Sequence, residues 1–466
     1  MNMQTTSSIG PSAALAGFAE RVSFDEIPAE VLERARIHIL DGLGLAVAST
    51  VFPYAKPTLS AVQELSGGAG CTVIGQAFRA APRDAAMANG VLIHGLDYDD
   101  THLEAIVHPT AAVLPAVLAV AEDRGLSGRE ALAAFCIGME VCIRLGAAVK
   151  GGFHHTGFHA TGVLAHFSSA IAAGRLMGAT ARQHVDAFGI AASTASGVQV
   201  FLEEGAWTKR LHPGWAAAGG ITAATLARHG FVGPTRALEG RFGLFDTHLH
   251  EHAKDVDPSF LTEGLGDRWM MADTALKPYP VCHFIHGAAD AALALQAEVT
   301  GADIASVDIL LPQDTLKIVA EPIEHKRNAR NEYEAKFSAP FVVASTLLRG
   351  RFGLSDLTEE AIADPGVQAL ARRCSCHADP KSLFPEYFSG GVKVTLADGR
   401  VLSHHVPVNS GAGDKKMTLD ETTEKFLQNT ALAIPEAQAM RIRQAVIDLE
   451  HLELADLSAV LRGGAA

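Results

Sequence analysis

Apolar residues return at every third or fourth position through the first ~270 residues, and this spacing predicts a succession of helices. Pro28 followed by AEVLERARIHILDGLGLAVAS reads as a proline-started helix. Residues 87–96 and 111–121 read as buried helices, and Ser127 with Glu130 fits a capping box opening EALAAFCIGMEVCIRLGAAV. The pattern continues over 160–177, 180–194 and 214–229. Small residues such as Gly174, Gly178, Gly219 and Gly220 permit close helix–helix approach, and few segments alternate as strands do.

The texture changes near Leu276. Lys277-Pro-Tyr-Pro280 breaks the helical run, since a proline removes a backbone donor and clashes with the preceding turn. Residues 286–299 are helical again, 306–311 form a strand candidate, and 391–406 read as a hairpin around Asp398-Gly399. The stretch 410–413 leads into two more helical patterns, TLDETTEKFLQNTALAI and PEAQAMRIRQAVIDLE. The expectation is a mainly α protein: a large discontinuous all-α helical domain (1–272 and 410–466) with an inserted smaller α+β lid domain (273–409).

Composition narrows the function classes. At 466 residues, two domains are expected rather than one. Hydrophobic content of 48% with 19% charge describes a chain with much buried surface. The net charge of −14 argues against nucleic-acid and anionic membrane partners, while leaving local charge in a cleft open. MNMQTTSSIGPS has no Lys or Arg ahead of an apolar core, so no secretory leader is expected. The longest helical apolar run is placed around 111–121, short of a membrane span. Six cysteines do not make a disulfide scaffold, and a reducing cytoplasm is the expected compartment.

Candidate chemistry concentrates in HGLDYDDTHLEAIVHPTAAVLP, residues 94–115, where Asp97, Asp99, Asp100, Thr101 and His108 lie between apolar flanks. Carboxylates and imidazole near an apolar wall have shifted pKa values, which acid–base chemistry exploits. The alternative is a helix end with capping aspartates and a satisfied core histidine. GGFHHTGFHATG brings His154, His155 and His159 to a helix start, an anion-friendly place or an exposed loop. Lys209, Arg210 and His212 precede another apolar helix, as a carboxylate pocket or a solvated basic loop. Lys277 and Tyr279 are stiffened by two prolines at the domain boundary, where small-molecule clefts occur but stiff linkers do too. Ser338 in EAKFSAPF is an N-cap candidate. HLHEH at 248–252 and CSCH at 374–377 lack paired ligand sets at zinc spacing, so no metal is expected. No GxGxxG after a strand, Walker loop or GxSxG occurs, leaving nucleotide binding and serine hydrolysis without support.

These blocks resemble the MmgE/PrpD family of 2-methylcitrate dehydratases, cis-aconitate decarboxylases and iminodisuccinate epimerases. The likeness is carried by NGVLIHGLDYDDTHLEAIVHPTAAVLP, GFHATGVLAHFSSAIAAGRLMGA, KRLHPGWAAAGGITAATLARHGFVGP, LEGRFGLF, KPYPVCHFIHGAADA and AKFSAPF, in the family's order. The resemblance implies the discontinuous helical domain with its lid, a homodimer and no cofactor. It places catalytic roles on Asp97, His108, His159, Lys209 and Lys277, and substrate contacts on Thr101, with Tyr279, Cys282 and Phe341 beside them. Decarboxylase-type members resemble this chain less at two positions: Cys282 stands where they carry a histidine, and Phe341 where they carry a tyrosine.

The expected activity is therefore a lyase of the 2-methylcitrate dehydratase type, removing water from a small hydroxy di- or tricarboxylate by acid–base catalysis. The same pocket without a leaving group would epimerise, as in the iminodisuccinate epimerase type. Decarboxylation and a non-catalytic scaffold with a relict pocket are the further alternatives. Residue spacing leaves open which histidine is base and which is acid.

Overall fold

A computed structural model describes residues 10–67 and 70–462. The N-terminal segment read for a leader falls largely on residues 1–9, outside the described residues. The chain is mainly α and divides into two units, residues 10–274 with 419–462, and residues 275–418.

The first unit is helical. Its principal elements are α1 (Ala29–Ser49), α2 (Pro82–His94), α3 (Thr110–Arg124), α4 (Gly128–Val149), α5 (Ala160–Leu176), α6 (Ala181–Ala192) and α7 (Thr208–Arg228). The Ser127–Glu130 capping box opens α4, with the Ser127 side chain accepting from Glu130 N and the Glu130 carboxylate accepting from Ser127 N. Helix α7 packs on α5 and on α2. The α2–α7 crossing is glycine-made: a Cβ on Gly214 would lie 2.3 Å from the Met87 carbonyl oxygen, and one on Gly90 would lie 2.5 Å from Gly214 Cα. That approach sets the end of α2 beside the start of α7, which is where the site forms.

Two expectations change here. The longest apolar helix is α4 rather than the run at 111–121, and by length and composition alone α4 could cross a membrane. In this fold it is a core helix, buried throughout its apolar stretch, carrying a Glu140–Arg144 ion pair at 2.7 Å. Arg144 also donates to the carbonyls of Phe260, Glu263, Gly264 and Arg268, so the buried charge is satisfied by a wrapped loop. The segment holding Lys209, Arg210 and His212 is not a loop before a helix. It forms the first turns of α7, with Pro213 accommodated inside.

The second unit is an α+β body. Its sheet contains β1 (Ile304–Leu311), β2 (Cys374–Ala378), β3 (Gly390–Leu396) and β4 (Val401–Val406), in the order β2-β1-β3-β4. Strand β2 is parallel to β1, while β3 and β4 form the hairpin turned at Gly399, whose φ of 88° suits glycine. Helix α8 (His286–Val299) lies on this sheet and packs against α9 (Ala339–Arg349), which Ser338 caps by accepting from Phe341 N. The CSCH motif forms the edge strand β2, with Cys374 fully buried. The chain then returns to the helical unit through α10 (Leu419–Thr430) and α11 (Glu436–Ile447).

Candidate active site

Helix α2 ends at His94, and the chain turns through Gly95 and Leu96 to Asp97, which adopts φ 52°. A non-glycine residue in the left-handed region is strained and persists only where its surroundings hold it. Here the surroundings are cationic. Arg210 Nε donates to the Gly95 carbonyl at 2.6 Å, and Lys209 Nζ donates to Asp97 Oδ2 at 2.6 Å. Asp97 and Lys209 are each partly open to solvent, so the pair is reachable.

Behind this pair the polar groups are buried and ordered. Asp99 sets both carboxylate oxygens on His94 Nδ1, at 2.8 and 3.0 Å, so that nitrogen carries the proton. His94 Nε2 is buried and has no hydrogen-bond partner among the described residues. Asp99 is also 3.9 Å from His108 Nδ1. The Asp100 carbonyl accepts from His108 Nδ1 at 2.7 Å, and Thr101 Oγ1 is 3.3 Å from the same nitrogen. A carbonyl can only accept, so Nδ1–H is fixed and Nε2 of His108 is the working nitrogen. His108 N donates to Thr161 Oγ1 on α5, tying the turn to the next helix.

His159 stands at the N-terminus of α5, its backbone N–H donating to the Gly197 carbonyl. The His94, His108 and His159 rings are mutual neighbours, with centroids 4.9, 5.8 and 6.0 Å apart. His159 Nδ1 is 3.1 Å from His212 Nδ1 of α7, one nitrogen donating and the other accepting. Burial, reinforced by the Lys209 ammonium, holds His159 well below the ordinary imidazole range. Burial also brings His212 down to about 4. Burial and then the neighbouring Asp99 push Asp100 up to about 7, against hydrogen bonds from Thr110. The result is a pair of neutral imidazoles, His159 and His212, beside one ammonium–carboxylate pair.

His94, Asp97, Asp99 and His108 each present a ligand-type atom within 4.8 Å of the others, a set that residue spacing did not single out. The cation on Asp97 is already the Lys209 ammonium, and both Nδ1 atoms donate to protein oxygens. A metal ion on Asp97 would have to displace the Lys209 ammonium, so the residues as arranged fit a proton-handling network better than a metal centre.

The helical unit thus brings together Asp97, Thr101, His108, His159 and Lys209. Two further residues, His94 and Asp99, belong with them. Of the candidates in the second unit, Tyr279 Oη donates to Asp290 Oδ1 at 2.8 Å, and burial raises Asp290. Lys277 is buried, and Cys282 is half-buried with its N–H on the Lys336 carbonyl. The Phe341 ring is fully buried, edge-on to Phe352.

Comparison with known proteins matches residues 13–257 to the MmgE/PrpD N-terminal domain and residues 279–451 to the MmgE/PrpD C-terminal domain. The chain is 32% identical to a cis-aconitate decarboxylase of Aspergillus terreus, over 95% of this chain and 94% of that protein. It is 30% identical to the cis-aconitate decarboxylase of Homo sapiens, over 93% and 90%. It is 26% identical to the 2-methylcitrate dehydratase of Cupriavidus necator, over 95% of each.

Proposed function

The chain belongs to the MmgE/PrpD family, and we propose that it is a lyase acting on a small di- or tricarboxylate by acid–base catalysis without a cofactor. The carrying observation is the pairing of neutral, desolvated His159 with His108, whose Nε2 is left to work beside the Lys209–Asp97 pair. Lys209 and Thr101 bind a substrate carboxylate by charge-assisted and neutral hydrogen bonds. A neutral His159 suits a reaction that opens with removal of a proton from carbon, and this favours dehydration of a hydroxy acid.

In that reading His159 takes the proton from the carbon next to a carboxylate, and Lys209 stabilises the enolate charge. The electron pair forms the carbon–carbon double bond as hydroxide leaves with a proton from Nε2 of His108, which enters the cycle as the imidazolium, protonated on both ring nitrogens. Asp99, 3.9 Å from His108 Nδ1 and hydrogen-bonded to His94, steadies the positive charge on this side of the site. Solvent exchange then resets both imidazoles.

Decarboxylation is the second reading, favoured by the relatives named cis-aconitate decarboxylase at 30–32% identity. Incubation with hydroxy tricarboxylates and with cis-aconitate separates the two. Ultraviolet absorbance of a new alkene without carbon dioxide supports dehydration, and carbon dioxide from cis-aconitate supports the second. Absence of turnover across such acids by the folded protein would overturn the lyase.

We also propose a homodimer formed through α7, where Leu211, Trp215 and Leu226 make an exposed apolar stripe at helical spacing. Light scattering near twice the 49.0 kDa chain mass supports this, and a monomer mass at micromolar concentration contradicts it.

A further inference from the structure

Beneath the Asp97 turn lies a buried cation from the far end of the chain. Lys425 of α10 is 5% exposed. Its Nζ is 2.7 Å from Asp41 Oδ1 of α1, donates to the Tyr98 carbonyl at 3.0 Å, and sits 3.8 Å from the centre of the Tyr98 ring. Dehydrating an ammonium and a carboxylate together is costly, more than docking a helix requires. Docking is already supplied by Phe426, fully buried, whose ring would lie 2.7 Å from a Cβ on Gly44 of α1.

The location of the charge accounts for its presence. Tyr98 lies between strained Asp97 and the Asp99–Asp100 pair that fixes His94 and His108. Arg210 holds the carbonyl before the turn and Lys209 holds the Asp97 side chain, both from α7. Lys425 holds the next carbonyl from the opposite side, with His38 Nδ1 3.2 Å from Asp100 Oδ2 beneath it. We propose that Lys425 is a positioning residue for this site: by fixing the Tyr98 carbonyl it keeps Asp97 on Lys209 and the Asp100 carbonyl on His108. The C-terminal return of the chain then completes the active-site turn. The kinetic part of this inference rests on the lyase reading, and the structural part does not.

The test uses the full chain with Asp41→Leu and Lys425→Met together, so that no buried charge is left unpaired. Hydrogen exchange followed by mass spectrometry reads the turn directly. The expected result is at least tenfold faster exchange in peptides spanning 95–108, with α5 peptides at their wild-type rate. On a turned-over substrate, kcat falls at least tenfold while KM stays within about threefold, because Lys209 remains on α7. Lys425→Arg, which keeps the charge and a donor, retains most of the protection. If the double variant does not fold, Asp41→Asn with Lys425→Ala is read in the same way. Wild-type exchange across 95–108 in the folded variant overturns the proposal, whatever the turnover. If wild-type enzyme acts on no carboxylate, the lyase reading fails and exchange alone decides the positioning role.

Discussion

Asp97 is a carboxylate whose worth depends on one ammonium. Its backbone is strained, its side chain is partly open, and Lys209 is at 2.6 Å. Removing that ammonium with Lys209→Met should cost about 2 kcal/mol of substrate and transition-state binding, roughly thirtyfold in kcat/KM, since one charge-assisted hydrogen bond is lost. Steady-state kinetics on the folded variant checks it, and a change below threefold would remove Lys209 from the site. The placement of Asp97, Thr101 and His108 in one turn is legible from spacing, because few core segments tolerate so many carboxylates. The roles of His94 and Asp99 are not. His94 reads as one more residue of a buried helix over 87–96, and its bond to Asp99 closes across the turn in which Asp97 takes a left-handed φ. Lys425 is less legible still: in TLDETTEKFLQ it looks like an ordinary solvated position.

Among elements, the α2–α7 crossing carries the geometry. Glycines at the contact let two backbones meet, and so carry His94 and Asp97 to Lys209 and His212. Gly214→Val would place its side chain against the Met87 carbonyl. Overpacking of this kind typically costs about 1–3 kcal/mol, and here it would also part the two halves of the site. The expected outcome is a lower Tm with kcat reduced tenfold or more, measured by calorimetry and turnover; unchanged values for both would refute the crossing's role. Helix periodicity made most of this body readable, because apolar faces repeat over many turns. It failed at the start of α7, where the apolar repeat is visible only from 214 onward and the basic residues before it read as a loop. Pro213 is the sixth residue of α7 and forfeits the bond its N–H would have made to the Lys209 carbonyl, a loss offset by the packing of α7 on α5 and α2. It failed again at β2, a five-residue edge strand whose partner β1 lies more than 60 residues away.

At the scale of the whole molecule, buried neutral histidines make stability depend on pH. His166 and His184 are fully buried, and desolvation brings each down to about 4 from an ordinary value of 6.5. The unfolded chain binds protons at these groups below pH 6.5, whereas the folded chain does so only near pH 4. Their contribution is therefore complete above pH 6.5 and is lost as pH falls toward 4, about 3 kcal/mol for each group. Tm measured from pH 7 to pH 4.5 should fall steeply, and His184→Leu should flatten the slope. A Tm independent of pH over that range would show that these rings are not held neutral.

The central claim is that turnover begins when His159 removes a proton from carbon beside a carboxylate. Its most direct measurement is turnover of a hydroxy acid deuterated at that carbon, with release of the label to water followed by NMR. The account predicts release of the label with alkene formation, a primary isotope effect above about 2, and a loss on the order of 10²–10⁴-fold in His159→Gln. Product formed with the deuterium retained, or wild-type release by the folded His159→Gln enzyme, would contradict it.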